Sequence, residues 1–185
     1  MLTSRYRQRA MLKNREYTAL VEAGLYPDEP EVQIDLPFEN KNGEIKNLLL
    51  ENFRSAALIE SVRGALRANH YHKTDWHYTY VLYGTVAYFW RPLKSEEKPQ
   101  FKIFRGGKMF FTPPLVEHAM LFIGESQILT FAKNVRDEAH HEEDVVRVPL
   151  IQSEEIYVAD KSVPSPLKLA FKVTFPSVPG ESEIV

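Results

Sequence analysis

At 185 residues with 44% apolar side chains, the chain is long enough for one ordinary domain with a real core and too apolar for disorder. A formal net charge of −2 gives no electrostatic footprint for nucleic acid, and no run approaches the roughly 18 apolar residues of a membrane-spanning helix. Cysteine is absent, which excludes disulfides and thiolate ligands, so any metal would be held by imidazole, carboxylate or carbonyl groups.

The elements are read in chain order. Residues 1 to about 30 predict a helical extension ending near Gly24 with Pro27 beyond it, and Tyr6, Met11, Tyr17, Leu20 and Val21 are candidates for its buried side. The basic start, MLTSRYRQRAMLKNREY, lacks the apolar stretch and small-residue cleavage site of a signal peptide, so a cytoplasmic protein is expected. From 31 to about 150 come short β-like runs: Glu31–Leu36, Glu44–Leu50, Ser55–Ser61, Ala65–His70, His77–Trp90, Phe101–Arg105, Lys108–Thr112, His118–Phe122 and Gln127–Lys133. Their regular spacing, with turn signals at Asn42-Gly43, Gly106-Gly107 and Gly124, predicts an all-β sandwich or barrel. Residues 151–185 hold one further alternating strand and a loose tail. In LKLAFKVTF, Leu167, Leu169, Phe171, Val173 and Phe175 share one face, and the strand is expected to join the barrel sheet of its own chain or of a partner, hence a homodimer.

Four of the six histidines fall in two compact blocks. The first is Gly64-ALRAN-His70-Tyr-His72-KTDW-His77-YTYVLY-Gly84, and the second is Gly107-KMFFT-Pro113-PLVE-His118. Side chains at i and i+2 of a strand share a face, so His70 and His72 can converge. A short turn brings His77 in from the next strand, and His118 arrives from a strand paired nearby. Neutral imidazoles suit iron, nickel, copper and zinc, with manganese also possible. By alternation from His77, Thr79, Val81 and Tyr83 face the same way, which makes Tyr83 the candidate catalytic side chain beside the histidines. Met120 and Phe122 share the His118 face, and Tyr88 belongs to an aromatic-rich run. Arg67 falls on the far side of its strand from His70, and His140-His141 in DEAHHEEDV reads as a solvated surface segment.

These blocks resemble the two signature motifs of the cupin superfamily. Gly64, His70, His72 and Gly84 match the first motif, with His77 where the family usually has Glu; Gly107, Pro113 and His118 match the second, with Leu115 in place of Gly and Phe122 in place of Asn. The resemblance implies a cupin antiparallel β-barrel (jelly roll) over 31–150, with the N-terminal helix and a C-terminal extension strand outside it. It also implies one divalent transition metal (Fe, Mn, Ni, Cu or Zn) held by His70, His72, His77 and His118, as in four-histidine variants among small cupins. The run RGALRANHYHK further resembles sugar-nucleotide ketoisomerases of the cupin class. Those act on thymidine-diphosphate 4-keto-6-deoxyhexoses, and their histidines in this run serve acid–base roles without a metal.

The leading expectation is therefore a metal-dependent oxygenase or isomerase of a small oxygen-rich molecule. The alternatives are a metal-independent sugar-nucleotide isomerase or epimerase in polysaccharide biosynthesis, with Arg54, Arg63 and Arg67 available for the diphosphate, and a non-catalytic ligand-binding cupin. The expected partner is a small-molecule substrate.

Overall fold

The computed structural model describes residues 12–159 and 167–185; Tyr6 and Met11 lie outside them. In chain order the elements are β1 (Leu12–Lys13), α1 (Asn14–Glu22), β2 (Glu31–Gln33), β3 (Phe38–Asn40), β4 (Gly43–Ile45), β5 (Ser55–Ser61), β6 (Leu66–His72), β7 (His77–Tyr83) and β8 (Thr85–Pro92). They continue with β9 (Gln100–Arg105), β10 (Met109–Thr112), β11 (Val116–Phe122), β12 (Ser126–Ala132), α2 (Glu138–Asp144), β13 (Val145–Arg147), β14 (Gln152–Ala159), β15 (Leu167–Thr174) and β16 (Ser182–Ile184). No helix among the described residues is long and apolar enough to cross a membrane.

Two sheets face each other: β1-β2-β10-β7-β12-β5 and β13-β6-β11-β8-β9. Their facing sides supply one core, with Val81, Val86, Tyr88, Phe104, Phe110, Phe122 and Ile128 all buried. The architecture is all-β, as the alternation implies, a jelly-roll-like pair of sheets, and among the described residues no ladder joins the two into a closed barrel. At one open side Lys102 of β9 reaches Glu31 of β2 (2.8 Å) and Glu29 (2.9 Å), so an ion-pair bridge ties the two sheets where no ladder does.

Each sheet is also covered on its outer side. Tyr17 of α1 is fully buried against Tyr78, Phe111 and Trp76 on the back of the six-stranded sheet, and its hydroxyl donates to Glu31 O (2.6 Å). Across the molecule, Phe171, Val173 and Phe175 pack on Ala87, Phe89, Ala119 and Leu121 of the five-stranded sheet. The terminal strand alternates as its sequence predicts, yet among the described residues it joins neither cupin sheet of its own chain. It pairs with β14 and β16 in a separate three-stranded sheet. A buried ion pair holds that layer down: Arg91 of β8 grips Glu117 of β11 (2.9 and 2.5 Å) and also donates to Ser177 Oγ (2.5 Å).

The run read as one strand from His77 to Trp90 is broken at Gly84. There φ is +89°, and a Cβ would lie 2.2 Å from Ser126 Oγ and 2.5 Å from Glu125 O, so glycine alone fits the turn between β7 and β8.

Candidate active site

The histidines gather at one end of the sandwich because β6, β7 and β11 each have an end there. His72 closes β6, His77 opens β7, and His118 sits near the start of β11, behind the Pro113-Pro114-Leu115 turn. Leu115, standing where the second motif has Gly, adopts the left-handed φ of +58°, and its N–H donates to His72 O (2.8 Å), tying the turn to β6.

A bulge places His70. Ala68 and Asn69 both have positive φ, +65° and +57°, a conformation asparagine tolerates better than most residues. The Asn69 amide clamps the bend: its Nδ2 donates to Ile151 O (3.0 Å) and its Oδ1 accepts from Ile151 N (3.1 Å). The register against β11 slips here, so His70 faces His118 while Ala68 faces Ala119 and Arg67 faces Met120. The slip overturns the expected placement of Arg67. It faces inward like Met120, and its guanidinium crosses to Ser61 Oγ (2.8 Å) and Glu60 O (2.9 Å) on the opposite sheet.

The four rings touch in series. Ring centroids are 4.7 Å apart for His70–His72, 4.7 Å for His70–His118 and 4.3 Å for His72–His77. His72, His77 and His118 are buried, and His70 is partly open. Their hydrogen bonds fix their tautomers, because carboxylates and carbonyls only accept. His72 Nδ1 donates to Asp144 Oδ2 (2.9 Å), leaving Nε2 as the acceptor for His70 Nε2–H (3.1 Å). His77 donates from Nε2 to the buried Asp75 Oδ2 (2.8 Å), and His118 donates from Nδ1 to Val116 O (3.1 Å). The unused nitrogens (Nδ1 of His70 and His77, Nε2 of His118) keep their lone pairs and can take protons.

Burial holds all four imidazoles neutral. Desolvation first, with the nearby arginines Arg136 and Arg147 adding to it, pushes His70 down to about 3. His72, His77 and His118 are also held below the usual histidine value, again with burial as the leading cause. Burial raises the Asp75 carboxyl, opposed by the Asn134 N–H it accepts (2.9 Å).

His70, His72 and His118 bring donor atoms within 4.8 Å of one another, and so do His72, Asp75 and His77; among the described residues no such set unites all four histidines. His77 gives its Nε2–H to Asp75. Tyr83 lies apart from the histidines. It is half-exposed, at the other end of β7 and about 20 Å along the strand from His77. A slip between Gln127 and Ile128 breaks the alternation that would have turned it inward. The tyrosine beside the histidines is Tyr88, 6.3 Å from the His118 ring centre, with its hydroxyl on Thr112 Oγ1 (3.0 Å).

Three contributors escaped the sequence reading: Asp75, the buried partner of His77, and Asp144 and His141 of α2. DEAHHEEDV is not simply a solvated segment: α2 returns over the cluster, setting Asp144 on His72 and the His141 ring about 6 Å from His70 and His72. Asp144 also accepts from Thr74 N (2.8 Å) and Thr74 Oγ1 (2.7 Å), which fixes the carboxylate. The i, i+3 spacing of His141 and Asp144 on a short helix is the signal that was available. His140, by contrast, is exposed and pairs with Asp137 at the helix start.

The fold is that of the cupins. No protein-family model matches the chain, and a search of the curated proteins finds no match. Among solved structures it is similar to the sugar 3,4-ketoisomerase QdtA from Thermoanaerobacterium thermosaccharolyticum in complex with TDP. That likeness has 18% identity and a TM-score of 0.50, and covers 60% of this chain and 82% of that one. It is also similar to a 3,4-ketoisomerase from Helicobacter canadensis, with 14% identity and a TM-score of 0.54, covering 65% of this chain and 90% of that one. These neighbours correct the expectation of a required divalent metal, and with it the oxygenase reading: ketoisomerases of the cupin class are the group that works without one.

Proposed function

We propose that the chain is a metal-independent isomerase or epimerase of a keto-sugar carried on a nucleoside diphosphate. The observation that carries this reading is the Asp144–His72–His70 series, a carboxylate and two imidazoles joined end to end inside a cupin sandwich. His70, the most open member, is the base. Its Nδ1 takes the proton from a hydroxyl-bearing carbon next to the substrate carbonyl. The carbon–hydrogen electron pair forms a carbon–carbon double bond, and the carbonyl oxygen gains the negative charge and then a proton. When the original hydroxyl oxygen gives up its proton and a proton returns to the former carbonyl carbon, the ketone moves by one position; when the enol oxygen instead gives its proton back and a proton returns to the original carbon from the opposite face, that carbon is inverted. Asp144 acts through His72 as a positioning residue, holding the acceptor tautomer that lets His70 keep its Nε2 proton. Of the arginines considered for the diphosphate, Arg54 fits best, in an open depression with Lys73, Thr74, Asn134 and His140 beside Asp144. Arg63 is committed to Glu155 and Ile123 O.

The test is proton exchange in D₂O with a thymidine-diphosphate 4-keto-6-deoxyhexose, followed by NMR. Deuterium should enter next to the carbonyl, survive a chelator, and fall at least about 100-fold in His70→Ala. Absence of both exchange and ligand-induced thermal stabilisation, or exchange lost to chelator and restored by a metal ion, overturns the reading.

A further inference from the structure

The isomerase reading leaves one proton without a source. His70 takes the proton from carbon, but the carbonyl oxygen must gain a proton, and the neighbouring hydroxyl oxygen must lose one before the ketone can move. Most groups at the cluster are committed. His72 and His118 give their N–H groups to Asp144 and Val116 O, His77 gives its own to Asp75, and all three rings are buried. Tyr88 is buried as well, with its hydroxyl on Thr112.

His141 is the further ring at this end. It is partly open, as His70 is, and its centroid lies 6.1 Å from that of His70 and 6.0 Å from that of His72. Two part-open rings side by side leave a point that a small molecule can reach from both. The spacing suits proton transfer at adjacent carbons. Each ring nitrogen must come within about 3 Å of the atom it serves, and the two atoms are themselves neighbours, so the rings stand some ångströms apart rather than bonded to each other.

Polar ties hold this ring in place. The α2 sequence, EAHHEED, has no apolar face and none of its residues is buried, so hydrophobic packing does not fix the helix. Asp137 caps its start by accepting His140 N–H (3.0 Å). At its end, Lys73 N donates to Asp144 O (2.9 Å), Lys73 Nζ to Glu143 O (2.6 Å) and Thr74 N to Asp144 Oδ1 (2.8 Å). Residues three apart share a helix face, so the turn that sets Asp144 on His72 also turns His141 toward His70.

We propose that His141 is a catalytic residue that carries protons between the two neighbouring oxygens of the substrate, working opposite His70. The proposal rests on the isomerase reading. Protonated His141 gives its proton to the carbonyl oxygen while His70 Nδ1 takes the proton from the hydroxyl-bearing carbon. The carbon–hydrogen pair becomes the carbon–carbon double bond of an enediol. Neutral His141 then takes the proton of the original hydroxyl, whose oxygen–hydrogen pair forms the new carbonyl. The double-bond pair takes the proton back from His70 at the former carbonyl carbon. Both rings end as they began, and nothing else is consumed. In an epimerisation His141 takes back the proton it gave.

The shuttle has a pH signature. Burial, with Arg136 adding to it, lowers the pKa of His141 below the usual histidine value. Arg147 acts in the same direction, Glu142 and Asp75 act against it, and the facing rings of His70 and His72 are neutral. The shuttle must start protonated, so its rate falls as the pH rises above that lowered value. His70 stays a free base down to about 3.

The test compares the full chain with His141→Gln, following turnover of a thymidine-diphosphate 4-keto-6-deoxyhexose by NMR across a range of pH. In the variant kcat should fall at least about 100-fold, with TDP affinity unchanged. Wild-type kcat should drop about tenfold per pH unit above about pH 6.5, and the residual rate of the variant should lack that slope. A merely structural role for His141 in seating α2 would leave the slope in place. A variant kcat within about threefold of wild type, or an alkaline slope kept by the variant, overturns the proposal and leaves the isomerase reading standing. A wild type that neither turns over the keto-sugar nor exchanges its protons removes the isomerase reading and the shuttle with it, so the two failures are distinguishable.

Discussion

The two ends of the sandwich are closed by different means. At the far end, β7 turns into β8 through Gly84, packed against Glu125 and Ser126, and the work is done by backbone conformation and one missing side chain. At the histidine end, closure uses polar side chains from β6, β7 and β11, held in part by near neighbours in sequence, as Asp75 holds His77, and in part by Asp144 of α2, which reaches back to His72 and Thr74. The far end tolerates almost no added atoms. The near end tolerates atoms but not unbalanced charge.

The sharpest way to break this contrast is Gly84→Ala. A positive φ together with contacts of 2.2–2.5 Å should cost about 3–4 kcal/mol, read by chemical denaturation. A cost below about 1 kcal/mol would mean that the far end is pliable after all. Acid should strike the opposite end. His72, His77 and His118 have folded pKa values below the unfolded value near 6.5, so the unfolded chain binds more protons wherever the pH lies between the two. Their contribution to stability is therefore present above pH 6.5 and is lost as the pH falls. Together they should remove about 3 kcal/mol between pH 6.5 and 5.5, measured as a shift in the denaturation midpoint. A flat profile across that interval would show that the rings are not desolvated. Next in size, Asp144→Ala should cost about 2 kcal/mol, because it strands His72 Nδ1–H and the Thr74 donors. Asp144→Asn should recover most of that stability while leaving proton exchange impaired, since an amide can present its N–H to His72 and reverse the tautomer. The smallest effect is expected of Tyr83→Phe: less than about 0.5 kcal/mol, with exchange unchanged. A large loss of exchange would restore Tyr83 to the site.

What could be read from the sequence follows the same division. Strands and turns depend on short-range pattern, so Ser55–Ser61 is found where it was expected, and Gly107 falls in the predicted turn with φ of +87°. The ring contacts among His70, His72, His77 and His118 also follow, since i, i+2 spacing and motif register bring them to one end. Two irregularities defeated the alternation rule. The bulge at Ala68–Asn69 turned Arg67 inward, and the slip at Gln127–Ile128 sent Tyr83 outward. Neither leaves a clear mark, because alanine in a left-handed conformation is decided by its surroundings, here the Asn69–Ile151 clasp. Asp75, Asp144 and His141 were missed for another reason. Their meaning lies in contacts with the cluster, and Asp144 is 72 residues from His72.

The apolar layer of Phe171, Val173 and Phe175 changes what the five-stranded sheet is. With the shared core on one side and this layer on the other, the middle of the sheet has no water-facing side, and Ala87, Phe89, Ala119 and Leu121 are obliged to be greasy although they point away from the histidine cluster. A shorter protein with the same jelly roll but no terminal hairpin would have to recolour those positions with polar side chains to stay dispersed in water.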